Sequence, residues 1–304
     1  MGKHDDWGFL LEERENSSNA YNASEVSEYW RKVHSLATRD ASWSNDELLP
    51  VVADPGTPAW EKRYVAHFQR RAVIRTFRRG PDVAGLQGLE FGCGTGRWVR
   101  LLNDRGARMV GIDISEDVIQ RNRKAMTGTE FRSVDITRDP LESRAYDFVL
   151  SVTAIQHLPY EVQEVVFRVL VESLKPGGWF LMLENIHDKA RTVFPRRING
   201  WRRLALSHGL RCTYSGGYGF DLLPRMGHAL LNARTKVKGG SSAMGPDELA
   251  NATYERYRSS KQQRRYGVVF RPLVTASYVV EPLSQWIIPS RWATHSAFIF
   301  RKGS

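Results

Sequence analysis

Leu89-Glu90-Phe91-Gly92-Cys93-Gly94-Thr95-Gly96-Arg97 decides how this 304-residue chain reads. A short apolar run ends in an acid, and three glycines follow at every second position. Glycine lets the backbone turn sharply and approach a ligand with no side chain in between. A helix-compatible stretch, Arg97 to Asn103, follows at once. Strand, glycine turn and helix start together form a cradle for a nucleotide-containing ligand, with backbone N–H groups directed into it.

The spacing narrows the ligand. A dinucleotide site uses G-x-G-x-x-G, but here Arg97 stands where the third glycine would be. A phosphate-binding Walker loop ends in Gly-Lys-Ser/Thr, which is missing. A second apolar run, Arg108-Met-Val-Gly-Ile-Asp113-Ile114, also ends in an acid. An acid about 20 residues after the glycine loop is placed to accept hydrogen bonds from both ribose hydroxyls. NAD enzymes share that feature, so Asp113 alone does not discriminate. A third stretch, Phe131-Arg-Ser-Val-Asp135-Ile136, has the same form. Tyr146 to Pro159 (YDFVLSVTAIQHLP) then reads as a fourth strand with its exit loop. Leu174 to Asn185 (LKPGGWFLMLEN) reads as a turn and fifth strand.

The acid-x-Gly-x-Gly-x-Gly pattern and the ordered motifs after it resemble class I S-adenosylmethionine (SAM) methyltransferases, over about Val83 to Ile186. The likeness is strongest to the small-molecule branch, which includes quinone, sugar and antibiotic methyltransferases. It implies that the loop (Glu90, Gly92, Gly94, Gly96) carries an amino acid and a nucleoside, with Glu90 suited to the methionyl ammonium. Asp113 would take the ribose, with Ile114 and Ser151 beside the cofactor. Asp135 would accept from the adenine N6, and Ile136 would pack on the ring. A helix or turn cap is the alternative reading of Asp135.

The alternation of strands and helices implies a Rossmann-like, doubly wound α/β sheet with right-handed crossovers. Strands are expected near 87–91, 107–112, 129–134, 146–151, 179–185 and 210–215, and helices near 97–105, 116–126, 160–174 and 197–208. In the family the seventh and last strand is antiparallel, here His295 to Arg301. Ligands bind at the carboxyl ends of such strands, where Glu90, Asp113, Asp135, His157 and Glu184 fall. The domain reading is an N-terminal helical cap (1–82), a SAM-binding core (83–220), an insertion forming an acceptor lid (221–290) and the last strand (291–302). The cap holds two helices, Ser24 to Thr38 and Pro58 to about Arg79. Tyr29, Trp30, Trp60 and Tyr64 on them either close over the cofactor or form a core stripe; the core stripe is the simpler reading. In the insertion a helix is expected from Pro246 to Lys261. Ser277 to Ile288 reads as a buried lid element, with a peripheral membrane contact through Trp286, Ile287 and Ile288 as the alternative.

Bulk properties set further bounds. Hydrophobic residues make up 41% of the chain, enough for a full core. Two cysteines, Cys93 and Cys212, give no disulfide framework and no metal-ligand spacing, so no metal is expected. That usage and an N-terminus without a signal-peptide core point to a reduced, cytoplasmic setting. No apolar run is long enough to span a membrane. The net charge of +11 is unevenly held: 20 of the 44 basic residues but only 6 of the 33 acidic ones lie from Ile186 onward. Such a field suits an anionic small molecule, an anionic membrane surface or nucleic acid. Arg191, Arg196, Arg197, Arg202 and Arg203, with Lys236, Lys238, Arg264, Arg265 and Arg271, are candidates for an anion-binding rim.

Methyl transfer from a sulfonium needs alignment, exclusion of water and often removal of one proton. His157, after the fourth strand, is the candidate base, since a His in this loop often has that role in similar sugar and antibiotic methyltransferases. Glu184 is the candidate to orient it or bind acceptor, and His187 is a second base. The expected activity is SAM-dependent methylation of a hydroxyl on a small-molecule, natural-product or glycan-type acceptor. RNA or protein methylation is the alternative. The Asn/Asp-Pro-Pro-Tyr/Phe tetrad of base-amine methylation is replaced by Ser151-Val-Thr-Ala, which weighs against that route. A catalytically silent SAM-binding partner is the non-enzymatic reading. The oligomeric state is left open.

Overall fold

A computed structural model of the chain describes residues 22–39, 59–187, 192–223 and 260–304, with Gly245 and Glu248. Seven strands form one sheet: β1 (Gln87–Phe91), β2 (Arg108–Asp113), β3 (Glu130–Ser133), β4 (Tyr146–Val152), β5 (Leu174–Asn185), β6 (Leu210–Tyr218) and β7 (His295–Lys302). Their order is β3-β2-β1-β4-β5-β7-β6. The first five run parallel, and β7 is antiparallel to both β5 and β6. The expected doubly wound sheet with an antiparallel last strand is therefore present.

Helices α1 (Ala23–Arg39) and α2 (Ala59–Phe77) precede the sheet. Next come α3 (Arg97–Asn103), α4 (Glu116–Ala125), α5 (Tyr160–Ser173), α6 (Ile198–Ser207) and α7 (Ser260–Ile287). The central strands are buried on both faces, which is why they read as unbroken apolar runs. Val149, Phe180 and Met182 pack with Phe167 and Leu170 of α5 and Trp201 and Leu204 of α6 on one face. Phe148, Leu150 and Leu181 pack with Val73 and Phe77 of α2, Trp98, Val99 and Leu102 of α3 and Ile119 of α4 on the other. Successive residues of β4 alternate between these layers, as the two-residue period of a strand requires.

Two elements depart from expectation. The strand expected near 210–215 runs on through Gly216-Gly217-Tyr218 as the end of β6, with Gly216 opposite Ala297, Gly217 opposite Ser296 and Tyr218 opposite His295. A Cβ on Gly217 would lie 2.8 Å from the Ala293 Cβ, so glycine there permits close packing rather than a turn. The second concerns 260–287, which forms one helix despite Pro272 and Pro282. The helix expected over 246–261 lies outside the described residues, apart from Glu248, Ser260 and Lys261. Among the described residues, no helix is long and apolar enough to cross a membrane.

Candidate active site

A cavity of about 860 Å³ opens above the carboxyl ends of β1, β2 and β4. That volume is in the upper part of the range of small-molecule pockets. The glycine loop forms its floor. Gly92, Gly94 and Gly96 all have positive φ, at 66°, 49° and 71°. A Cβ on Gly92 would lie 2.5 Å from the Ala154 Cβ, so no other residue fits without displacing the β4 exit loop. Part of the expected N–H cradle is already committed: Cys93 N–H donates to Ile112 O (2.9 Å) and Gly94 N–H to Asp113 Oδ2 (3.0 Å).

Asp113 ends β2 as the spacing predicts and lines the cavity. Its Oδ1 accepts from Ser115 N–H at 3.0 Å, and His34 Nδ1 of α1 lies 3.5 Å from the same oxygen. Burial alone would push the Asp113 carboxyl up. His34 and the N–H groups of Ser115 and Gly94 outweigh it and hold the acid below its ordinary range. It therefore stays ionised and rigidly aimed. Glu90, at the end of β1, is also buried and lines the cavity. Its Oε2 has no hydrogen-bond partner among the described residues. Burial drives this carboxyl well up, and the Arg97 charge opposes the shift. A buried carboxylate oxygen without a partner, on a residue that lines a cavity, is suited to a cationic donor such as a ligand ammonium.

Ile114, Asp135 and Ile136 also reach the cavity wall. Asp135 accepts from Thr137 N–H (3.2 Å) and Thr137 Oγ1 (2.6 Å), so it serves as a turn cap there. Gly96, Ser151 and Glu184 do not line the cavity. Glu184 instead anchors the loop after β4. Its Oε1 accepts from Ser151 Oγ (2.8 Å), Ile155 N–H (3.2 Å) and Ala154 N–H (3.4 Å), and its Oε2 from Gln156 N–H (3.1 Å). Burial pushes its carboxyl up to about 7 against these donors. Glu184 thus holds Ala154 and Gln156 in the cavity wall without touching the cavity itself.

His157 lies in a short 3₁₀ turn, Ile155–His157, and lines the cavity. Its Nδ1 is 2.6 Å from Thr192 O, which fixes the proton on Nδ1, so that Nε2 accepts from the Gln156 amide at 3.3 Å. Burial lowers it to about 4, so it is neutral at physiological pH. The Trp30 ring packs edge-on against it, with centroids 4.4 Å apart. His187 does not line the cavity; its Nε2 meets Arg291 O.

Sequence reasoning missed several wall residues. Trp30 and Tyr64, set down as a core stripe, line the cavity, whereas Tyr29 packs with Val26, Val33 and Phe194. The side chain of Trp60 lies outside the described residues. Arg97 donates to Gln69 and lies 4.3 Å over the Trp98 ring; burial lowers it to about 10, leaving it cationic. Tyr64 donates to Asp221 Oδ1 at 3.2 Å. The Tyr218 hydroxyl is buried beside Gln69 without a hydrogen bond of good geometry. A signal did exist for α1, whose Trp30 and His34 lie one turn apart. None existed for Tyr218 and Asp221, which β7 pairing brings in from far along the chain.

The arginines expected to form an anion site are placed otherwise. Arg196 donates to Gln163 Oε1 (2.7 Å) and pairs with Glu164 (3.3 Å), and Arg202 donates to Ser215 Oγ (2.6 Å). Neither these nor Arg197, Arg203 and Arg271 line the cavity. Arg191, Lys236 and Lys238, and the side chains of Arg264 and Arg265, lie outside the described residues.

Residues 89–178, from the glycine loop to the start of β5, match a family model described as "Methyltransferase domain". Over these residues the chain is similar to methyltransferase domains. A Mycolicibacterium smegmatis protein named "Probable S-adenosylmethionine-dependent methyltransferase" is 31% identical over 46% of this chain and 49% of its own length. The demethylmenaquinone methyltransferase of Lactococcus lactis is 28% identical over 37% and 47%, respectively. The trans-aconitate 2-methyltransferase of Escherichia coli is 31% identical over 39% and 48%. The chain thus spans about half the length of these curated relatives. Among solved structures, the cyclase SpnF superposes with a TM-score of 0.56 at 16% identity, covering 93% of this chain and 97% of that one. This likeness shows that the fold extends beyond the methyltransferase domain.

Proposed function

We propose that the protein binds SAM in this cavity and transfers its methyl group to a hydroxyl of a small-molecule, natural-product or glycan-type acceptor. The observation that carries the reading is the pair of strand-end carboxylates. Asp113 is ionised and held by two backbone N–H groups, leaving lone pairs for the two ribose hydroxyls. Glu90 offers an unpaired oxygen where the methionyl ammonium would lie. Asp135 and Ile136 supply the adenine end of the same wall. When bound, SAM supplies a methyl group on a positively charged sulfur with a good leaving group. The relatives named above, which act on a quinone precursor and on a carboxylic acid, support a small-molecule acceptor.

The chain's own residues then align the acceptor, exclude water and take one proton. His157 is the proton acceptor in this reading, through Nε2. Its low basicity means that it does not form an alkoxide beforehand. It accepts the proton as the carbon–oxygen bond forms and the hydroxyl becomes strongly acidic. Glu184 has a positioning role through the loop that carries His157. Titration calorimetry with SAM and with S-adenosylhomocysteine tests the cofactor assignment. Because a cyclase shares the fold, turnover is scored as S-adenosylhomocysteine formed per methylated product, read by mass spectrometry. Absence of SAM binding by the purified protein would overturn the proposal.

A further inference from the structure

Helix α7 presents two unlike faces. Toward the protein, Val274, Ser277, Glu281 and Ser284 are buried. Glu281 accepts from Phe220 N–H (2.7 Å) and Asp221 N–H (3.2 Å) at the end of β6, and Gln285 accepts from Arg75 of α2. Tyr278 packs against Tyr64 and Phe68 of the cavity wall, with centroids 5.7 Å away in each case. The helix is therefore fixed to the fold by its polar groups.

From Val279 to Ile287 its outward face is apolar. Val279 is 68% exposed, Leu283 57%, Trp286 91% and Ile287 79%, and Trp292 in the following 3₁₀ turn is 62% exposed. The spacing Val279, Leu283, Trp286, Ile287 places them on one side, three and four residues apart. The buried lid expected from the sequence is thus an exposed stripe. Between Arg271 and Arg291 the only charged residue is Glu281, which is buried. Both arginines are exposed and bracket the stripe. An ordinary surface helix of this length carries charge on its outer face. The polarity here is reversed: polar groups grip the protein, and aromatic and aliphatic groups face out.

We infer that the outward stripe of α7 docks on an anionic lipid surface, with Val279, Leu283, Trp286 and Ile287 entering the headgroup and acyl boundary. Tryptophan at two exposed positions suits that boundary, where its ring is apolar and its N–H meets water. Arg271 and Arg291 meet lipid phosphates at the two ends. The basic excess from Ile186 onward, 20 basic against 6 acidic residues, gives charge complementarity to anionic lipid. Since no described helix crosses a membrane, the helix lies in the interface plane. The docked face is then one helix away from the cavity wall that Glu281 and Tyr278 support. This inference does not depend on the cofactor assignment.

The test is sedimentation of the full-length protein with phosphatidylcholine vesicles, with and without phosphatidylglycerol. The wild-type protein is expected to sediment with the phosphatidylglycerol vesicles and only weakly with the neutral ones. Trp286→Ser combined with Ile287→Ser lowers the partition coefficient at least about tenfold, because two exposed apolar groups no longer enter lipid. Leu206→Ser, at a 70% exposed position on α6, leaves it unchanged. Calorimetry with SAM and circular dichroism confirm that each variant is folded. The inference is overturned if the wild-type protein ignores both vesicles, or if the double variant binds as well as wild type. It is also overturned if light scattering shows a dimer that the double variant splits, since a second copy then covers the stripe. Loss of SAM binding with vesicle binding intact would sink the proposed function and leave the docking standing.

Discussion

His34 Nδ1 lies 3.5 Å from Oδ1 of Asp113, so the N-terminal helix reaches across the sheet edge to the carboxylate that ends β2. The contact joins two elements that sequence treats as separate. It makes α1 a wall of the cavity, with Trp30 one turn earlier resting on His157. It also helps keep Asp113 ionised in a buried place. Each Asp113 oxygen already takes one backbone N–H.

Asp113→Asn is expected to weaken SAM binding by about two to three orders of magnitude. The variant loses the charge that strengthens two hydrogen bonds to ribose, each worth about 1.5–3 kcal/mol. Titration calorimetry measures it. Affinity within a few-fold of wild type would remove the ribose assignment. Because the Asp113 carboxyl is held below its ordinary range, wild-type binding is expected to persist to mildly acidic pH.

His157→Asn is expected to retain SAM affinity within about threefold and to lower turnover about 10²–10⁴-fold, the usual contribution of a positioned proton acceptor. Asparagine keeps a donor toward Thr192 O, so loss of the loop anchor is controlled for. The pH profile is a second readout. Since His157 protonates only near 4, turnover should be flat from about pH 6 to 8 and fall below about pH 5. A rate limb near 6.5 would point to another base.

Glu184 and His157 should give opposing stability slopes in overlapping pH windows. Glu184 is raised from 4.5 to about 7, so the folded state holds a proton that the unfolded chain has lost, and stability falls as pH rises between those values. His157 is lowered from 6.5 to about 4, so the unfolded chain takes the proton first, and stability falls as pH drops through that window. Each amounts to roughly 3 kcal/mol, and in the wild-type protein they largely cancel. Glu184→Gln should expose the histidine slope, with Tm dropping on acidification from pH 6.5 to 4. His157→Asn should expose the glutamate slope, with Tm rising on acidification from pH 7 to 4.5. Thermal unfolding across that range decides it, and identical profiles for both variants would contradict the assignments.

Tyr218→Phe should be neutral or slightly stabilising, since it removes a buried hydroxyl that lacks a well-formed hydrogen bond. If that hydroxyl contacts the acceptor, the acceptor KM should rise severalfold while SAM affinity holds. An unchanged KM would confine Tyr218 to its stacking on His295, whose ring lies 5.4 Å away.

The amino-acid sequence by itself determined the parallel core and one wall of the cavity. β1 and β2 are apolar runs ended by a glycine turn or an acid, and such patterns act over a few residues. Their carboxyl-end positions follow from the alternation of strand and helix, so Glu90, Asp113, Asp135 and His157 could be placed together before any coordinates. Glu184 shows where local reading stops: its position at a strand end was legible, but which way the carboxylate turned was not. Only the tertiary structure decided that it grips the β4 exit loop, that Trp30 and His34 close one side of the cavity, and that Tyr218 and Asp221 close another. The outward stripe of α7 belongs with these. An apolar helix reads alike whether its face meets a core or a lipid surface, because the pattern specifies the face and only packing specifies its neighbour.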